Sequence, residues 1–153
     1  MNATANAAKP RGCTNFKLRQ LSRALTRHYD AHVAASGLKI TQYSLLSCVV
    51  QQGPIQPVAL AQGMNLEAST LTRNLQPLMA HGWIVMGPGA DARSRLISAT
   101  DAGRAKHTEA QRAWKQAQLA LNARLGDGRV ARLHELIDAC LADLESAKDS
   151  AHG

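Results

Sequence analysis

The stretch PGADARSRLISATDAG, residues 88–103, most narrows what this chain can build. It places a β-like segment in a chain whose other patterns are helical. WIVM ahead of it and RLISA within it read as the two strands of a hairpin around a glycine-flanked loop. The loop holds one acid, Asp91, and two arginines, Arg93 and Arg95. Asp91 stands two residues from Arg93, close enough to orient that arginine or to pin the loop backbone. Taken alone, an ordinary polar turn with an incidental ion pair accounts for the same residues.

The rest of the chain is patterned in threes and fours. Leu18, Leu21, Leu25, Tyr29 and Val33 predict a long amphipathic helix from Cys13 to about Ser36, ended by Gly37. Thr41 is placed to cap a second helix, TQYSLLSCVVQQ, stopped by Gly53-Pro54. Pro57 suits the first turn of a third, PVALAQGM, closed by Gly63. A fourth starts at Asn65 or Glu67, turns Leu71, Leu75 and Leu78 inward and ends at Gly82. Asp101 is positioned to cap a fifth helix reaching about Leu125. After Gly126-Asp127-Gly128 a sixth carries Val130, Leu133, Ile137, Cys140, Leu141 and Leu144 on one stripe.

The expected class is mainly α with a small β-hairpin wing: a winged helix-turn-helix joined to a helical dimerisation region. Residues 1–12 form a flexible arm, 38–100 the compact lobe, and 13–37 with 101–147 the outer helices. The last stripe finds few partners within one chain, so a two-fold homodimer is expected to bury it. With 153 residues, a single small core suffices. Aromatic residues make up 3% of the chain, and Ala and Leu dominate its apolar content, which favours helices over a β-sandwich. No apolar run approaches a membrane span and the N-terminus lacks a secretory core, so a cytoplasmic protein without a membrane partner is expected.

The formal charge is +7 and uneven: seven Lys/Arg and one acid between Lys9 and Lys39, five acids and one Lys between Glu135 and Asp149. A basic body suits a polyanion. Helices three and four, joined by the tight GMN segment, fit a helix-turn-helix. On the fourth, Ser69, Thr70, Thr72, Arg73 and Asn74 lie off the leucine face, and small hydroxyl and amide groups with one arginine can reach base edges and phosphates. A solvated helix face is the plainer explanation. Pro77 denies the Arg73 carbonyl its donor, which predicts a bend or loosening there. A hairpin tip is narrow enough for Arg93 or Arg95 to enter a minor groove.

The segments GLKITQYSLL (37–46), LAQGMNLEASTLTRNLQPLMAHGWI (60–84) and GADARSRLISATDAGRA (89–105) resemble the MarR family of transcriptional regulators. The last is the most specific, with its Asp-x-Arg wing and its Thr-x-x-Gly exit at Thr100 and Gly103. The resemblance implies a dimer that binds a double-stranded, pseudo-palindromic operator, with the first, fifth and sixth helices joining the copies. It places the wing arginine at Arg93, its orienting acid at Asp91, and the recognition contacts at Ser69, Thr70, Thr72, Arg73 and Asn74. Pro77 inside the recognition helix and Glu67 at its cap depart from the usual pattern. The resemblance further implies a repressor released by a small effector, often an aromatic carboxylate or a phenol.

Three switches have candidate residues. For an anionic effector, Arg19 and Arg23 (with Arg27) recur every four residues, Tyr43 and Ser47 sit four apart, and His28 lies near the junction. A solvated arginine stripe is the simpler account of the first set. For oxidation, Cys13 precedes the first helix with Arg11 and Lys17 nearby, where a helix start favours a thiolate. Cys48 and Cys140 read as core residues. For metal, His28 and His32 have i, i+4 spacing, but no local cluster supplies further ligands, so no metal site is assigned. No catalytic fingerprint and no cofactor-binding motif is present, so neither enzyme activity nor a cofactor is expected. The competing class is a winged-helix module for protein contact without DNA.

Overall fold

The computed structural model describes residues 9–91 and 93–150. Six helices and one hairpin follow in the expected order: α1 (Thr14–Val33), α2 (Ile40–Gln52), α3 (Pro57–Gly63), α4 (Ala68–Ala80), β1 (Ile84–Pro88), β2 (Arg95–Ala99), α5 (Asp101–Leu125) and α6 (Asp127–Ser150). A single 3-10 turn, Ala34–Ser36, closes α1 before Gly37 takes φ +80°. Most of the arm expected over 1–12 lies outside the described residues. Among these residues no single helix is long and apolar enough to cross a membrane.

The core belongs to the lobe. Leu45, Leu46 and Val49 of α2, Leu60 of α3, Leu71, Leu75 and Leu78 of α4, Ile84 of β1 and Ile97 of β2 form one buried cluster that α5 joins through Ala110. Each fully buried leucine contributes about 2 kcal/mol, which outweighs the weak intrinsic propensity of short helices such as α3. β1 and β2 pair antiparallel with Ile84 opposite Ala99 and Met86 opposite Ile97. Ile55 adds a short bridge, exchanging two backbone hydrogen bonds with Ile97 at 3.0 and 2.8 Å. A two-stranded ribbon is marginal alone, and here one face rests on the lobe core.

Two helix starts differ from expectation. Thr41 does not cap α2; that helix begins at Ile40, and its first free donors go to Asp30 Oδ1 (from Ile40 N–H, 2.7 Å) and Gln42 Oε1 (from Lys39 N–H, 3.0 Å). A carboxylate from the end of α1 therefore welds the outer helix to the lobe. Asp101 is not the cap of α5 but its first residue; the cap is Thr100, whose Oγ1 accepts from Gly103 N–H at 3.0 Å and donates to the Gly82 carbonyl at 2.6 Å. The α5–α6 link is also tighter than expected, with Gly126 alone between them at φ +91°.

α1 lies along α5. His28 Nε2 donates to the Ala117 carbonyl at 2.8 Å, and the Tyr29 hydroxyl donates to Gln118 Oε1. α6 folds back on α5 only at its start, where Val130 is buried. Beyond that its stripe is open: Leu136 is 65% and Leu144 67% exposed, with Ile137 and Leu141 near 40%. Cys140, expected in a core, is exposed on this same stripe.

Candidate nucleic-acid interface

α3 and α4 are joined by a turn that the backbone closes on itself. Met64, Asn65 and Leu66 donate to the carbonyls of Leu60, Gln62 and Ala61 at 3.0, 3.1 and 2.8 Å. Asn65 takes φ +53°, a left-handed conformation that asparagine tolerates better than most side chains. The GMN segment thus makes the sharp corner a helix-turn-helix needs. α4 then starts after Glu67, whose side chain makes no capping bond.

Leu71, Leu75 and Leu78 bury one side of α4 and leave Ser69, Thr72, Arg73 and Asn74 exposed, with Thr70 half-buried at the edge. The Thr72 hydroxyl donates to the Ala68 carbonyl at 3.0 Å and keeps only its lone pairs for another partner. Pro77 does not end the helix: α4 runs through it to Ala80, and the N–H of the C-cap residue, His81, reaches the Pro77 carbonyl at 3.1 Å. The buried leucines on both sides of the proline hold the last turn in place, so packing overrides the missing hydrogen bond.

At the hairpin tip Asp91 acts on the backbone. Its Oδ1 accepts from the N–H groups of Arg93 at 2.9 Å and Ser94 at 2.8 Å, an Asx turn that fixes the loop. Those donors, Ser94 first, hold its carboxyl below the usual carboxylate range. Ser94 Oγ adds hydrogen bonds with the Asp91 N–H and carbonyl, both at 3.3 Å. No ion pair joins Asp91 to an arginine among the described residues. Arg93 and Arg95 are therefore exposed cations on a preset loop, and with Ser94 they line a cleft against Gln56, Pro57 and Val58 at the start of α3.

A helix-turn-helix with an exposed polar probe and a basic hairpin beside it has known relatives. The MarR family matches residues 38–86, the lobe from the start of α2 to β1. The M. tuberculosis transcriptional regulator MosR is 30% identical, and the match covers 86% of this chain and 98% of MosR with a TM-score of 0.72. The chain belongs to the MarR family.

MosR has also been solved in complex with DNA, a structure 31% identical to this chain with a TM-score of 0.69, covering 84% of this chain and 98% of that one. The HTH-type transcriptional regulator YwoH of Bacillus subtilis (strain 168) is 28% identical over 93 residues, 61% of this chain and 68% of YwoH. In this MarR-family regulator α2 through β2 form a winged helix, packed against the outer helices α1 and α5.

The proposed effector residues are not gathered in one place. Arg19 and Arg23 are exposed on α1, and the apolar groove between α1, α2 and α6 is lined by Leu18, Leu21, Leu25, Tyr29, Ile40 and Ile137 instead. His28 is spent on the Ala117 carbonyl. Tyr43 is buried, stacked on His107 at 5.5 Å and on Trp114 at 6.1 Å, and burial raises its pKa. Ser47 shares a 3.2 Å hydrogen bond with His107 Nε2. His28 and His32 face each other at 4.8 Å, but His32 Nδ1 donates to the His28 carbonyl at 2.9 Å, and no third ligand joins them among the described residues. Cys13 is exposed at the N-cap of α1, whereas Cys48 is half-buried and burial pushes its thiol pKa up.

The place of His107 in the core has no local sequence signal. Only 7% exposed, it joins α5 to α2, and burial holds its pKa below the ordinary 6.5. The unfolded chain therefore binds a proton at this site more readily than the native one does. Native stability is expected to fall as pH drops below about 6.5 and to go on falling until the folded pKa is passed. Urea midpoints at neutral and mildly acid pH check this. His107→Gln should flatten the difference, and an unchanged difference would clear His107 of the effect.

Proposed function

We propose that this MarR-family regulator is a homodimeric, cytoplasmic repressor that holds a pseudo-palindromic operator through two winged helices. The observation that carries the reading is the pairing of two unpartnered surfaces. One is the polar face of α4 with the exposed Arg93 and Arg95. The other is the open apolar stripe of α6, with Leu136 65% and Leu144 67% exposed. An apolar stripe of that length is not left in water, and a second copy covers it by self-complementarity. Two copies then place two probes about one helical turn of DNA apart. Ser69, Thr70, Thr72, Arg73 and Asn74 address the major groove, and Arg93 and Arg95, on the loop fixed by Asp91, address the minor groove or its phosphates.

Release follows when a small aromatic or phenolic acid occupies the junction of outer helices and lobe. The apolar groove of α1, α2 and α6, a cavity of about 340 Å³, is large enough for one aromatic ring. A second reading, release by oxidation, is favoured by one observation: Cys13 is exposed at the N-cap of α1.

The test combines sedimentation with gel retardation on the DNA upstream of the protein's own coding region. The expected results are a dimer and a specific complex that weakens steeply with salt. Benzoates or phenols should dissolve that complex. Release by peroxide instead, lost in Cys13→Ser, would establish the second reading. A folded monomer indifferent to duplex DNA would overturn both and leave a protein-contact module.

A further inference from the structure

We propose that Lys39 and Thr41, at the start of α2, form a backbone-phosphate anchor beside α4. The proposal rests on the reading of α4 as the groove-entering helix. Lys39, Thr41, Gln42 and Leu45 of the α2 segment line a cleft of about 270 Å³ whose other wall is Arg73, Asn74 and Pro77. No carboxylate lines that cleft, and among the described residues no ion pair engages Lys39 or Arg73. Two cations thus face one depression open to solvent, an arrangement that an anion between them relieves.

The two walls divide the work by chemistry. The Arg73 guanidinium and Asn74 amide are flat, bidentate groups suited to base edges. The Lys39 ammonium is a compact point charge, and the exposed Thr41 hydroxyl a single donor; both suit a phosphate oxygen. The anchor belongs to these side chains and not to the helix end. The main-chain N–H groups of Lys39 and Ile40 are already taken by Gln42 Oε1 and Asp30 Oδ1. Those bonds hold the base of the Lys39 side chain still, so a phosphate held there sets where α4 lies in the groove. Because α1 supplies Asp30, the anchor is also the part of the interface most directly tied to the outer helices.

The experiment measures binding of the full-length protein to its own upstream duplex and to a scrambled duplex over a range of salt. Lys39→Ala should weaken both by the same factor, roughly five- to tenfold at low salt, and make the slope of log K against log salt shallower by about 1 for each copy bound. Lys39→Arg should restore the slope, and the urea midpoint of Lys39→Ala should match the wild type. An unchanged slope overturns the anchor, as does a loss confined to one of the two sequences, which would make Lys39 a base reader. If the wild-type protein itself binds neither duplex, the reading of α4 fails and the anchor falls with it. Wild-type binding with an indifferent Lys39→Ala removes the anchor alone.

Discussion

Arg73→Ala and Arg93→Ala are each expected to abolish retardation of the cognate duplex at concentrations where the wild type binds fully. One bidentate arginine–base contact supplies about 1–3 kcal/mol, and a two-fold dimer loses it twice. The expected loss in affinity of the proposed dimer is therefore between about thirtyfold and twenty-thousandfold. The two variants should differ in kind. Arg73 is exposed on a helix positioned by Leu71, Leu75 and Leu78, so its removal should relax preference among operator sequences as well as weaken binding. Arg93 sits on the hairpin tip, and its removal should cost most on duplexes with a narrow, A·T-rich minor groove. Asp91→Ala should weaken binding less than Arg93→Ala, because it frees the loop that the Arg93 and Ser94 N–H bonds hold but leaves both arginines in place. Gel retardation or fluorescence anisotropy on a set of operator variants checks all three. If both arginine variants bind like the wild type, the assigned contacts are wrong.

Gly103→Ala is expected to be the most destabilising small substitution in the chain. Gly103 lies in the first turn of α5 directly beneath the end of the helix-turn-helix, and a methyl built on it falls inside the van der Waals radius of the Trp83 carbonyl oxygen. That oxygen cannot move away freely, since it also accepts from Thr100 N–H at 3.0 Å. Overpacking against fixed backbone costs about 3 kcal/mol, a fall of roughly 6–12 °C in Tm for a chain this size. Gly82→Ala is the comparison: Gly82 has φ +73° but nothing within 4 Å of its missing Cβ, so only the backbone preference is lost, about 1 kcal/mol. Thermal unfolding followed by circular dichroism ranks the two. A Gly103→Ala protein no less stable than Gly82→Ala would show that α5 and the β1 entry do not meet as closely as described.

These two sites also show which parts of the molecule were readable from residue order. The polar probe of α4 was readable because Leu71, Leu75 and Leu78 leave one face for everything else, and that periodicity is local. The hairpin was readable because alternation around a glycine-flanked loop is local too. At Pro77 the non-local packing matters as well: the proline is unfavourable in an isolated helix, but buried leucines on both sides carry α4 through it to Ala80. The partner of Tyr43 and Ser47, His107, was not readable in the same way, because it lies on a distant helix. Cys140 was placed in a core because its stripe is apolar, whereas the chain alone leaves that stripe open.

What residue order determined by itself was the inventory: six helices, one hairpin, their sequence, and the outward face of each. Those features depend on interactions within a few residues, on repeats of three and four, and on glycine and proline at the ends. What only the tertiary structure decided was which separated residues share a point in space: Asp30 on the start of α2, His107 against Tyr43, Gly103 under the Trp83 carbonyl, and Lys39 across a cleft from Arg73. Each of these is a non-local meeting set by how buried leucines dock the helices, and no local pattern encodes the angle at which they dock.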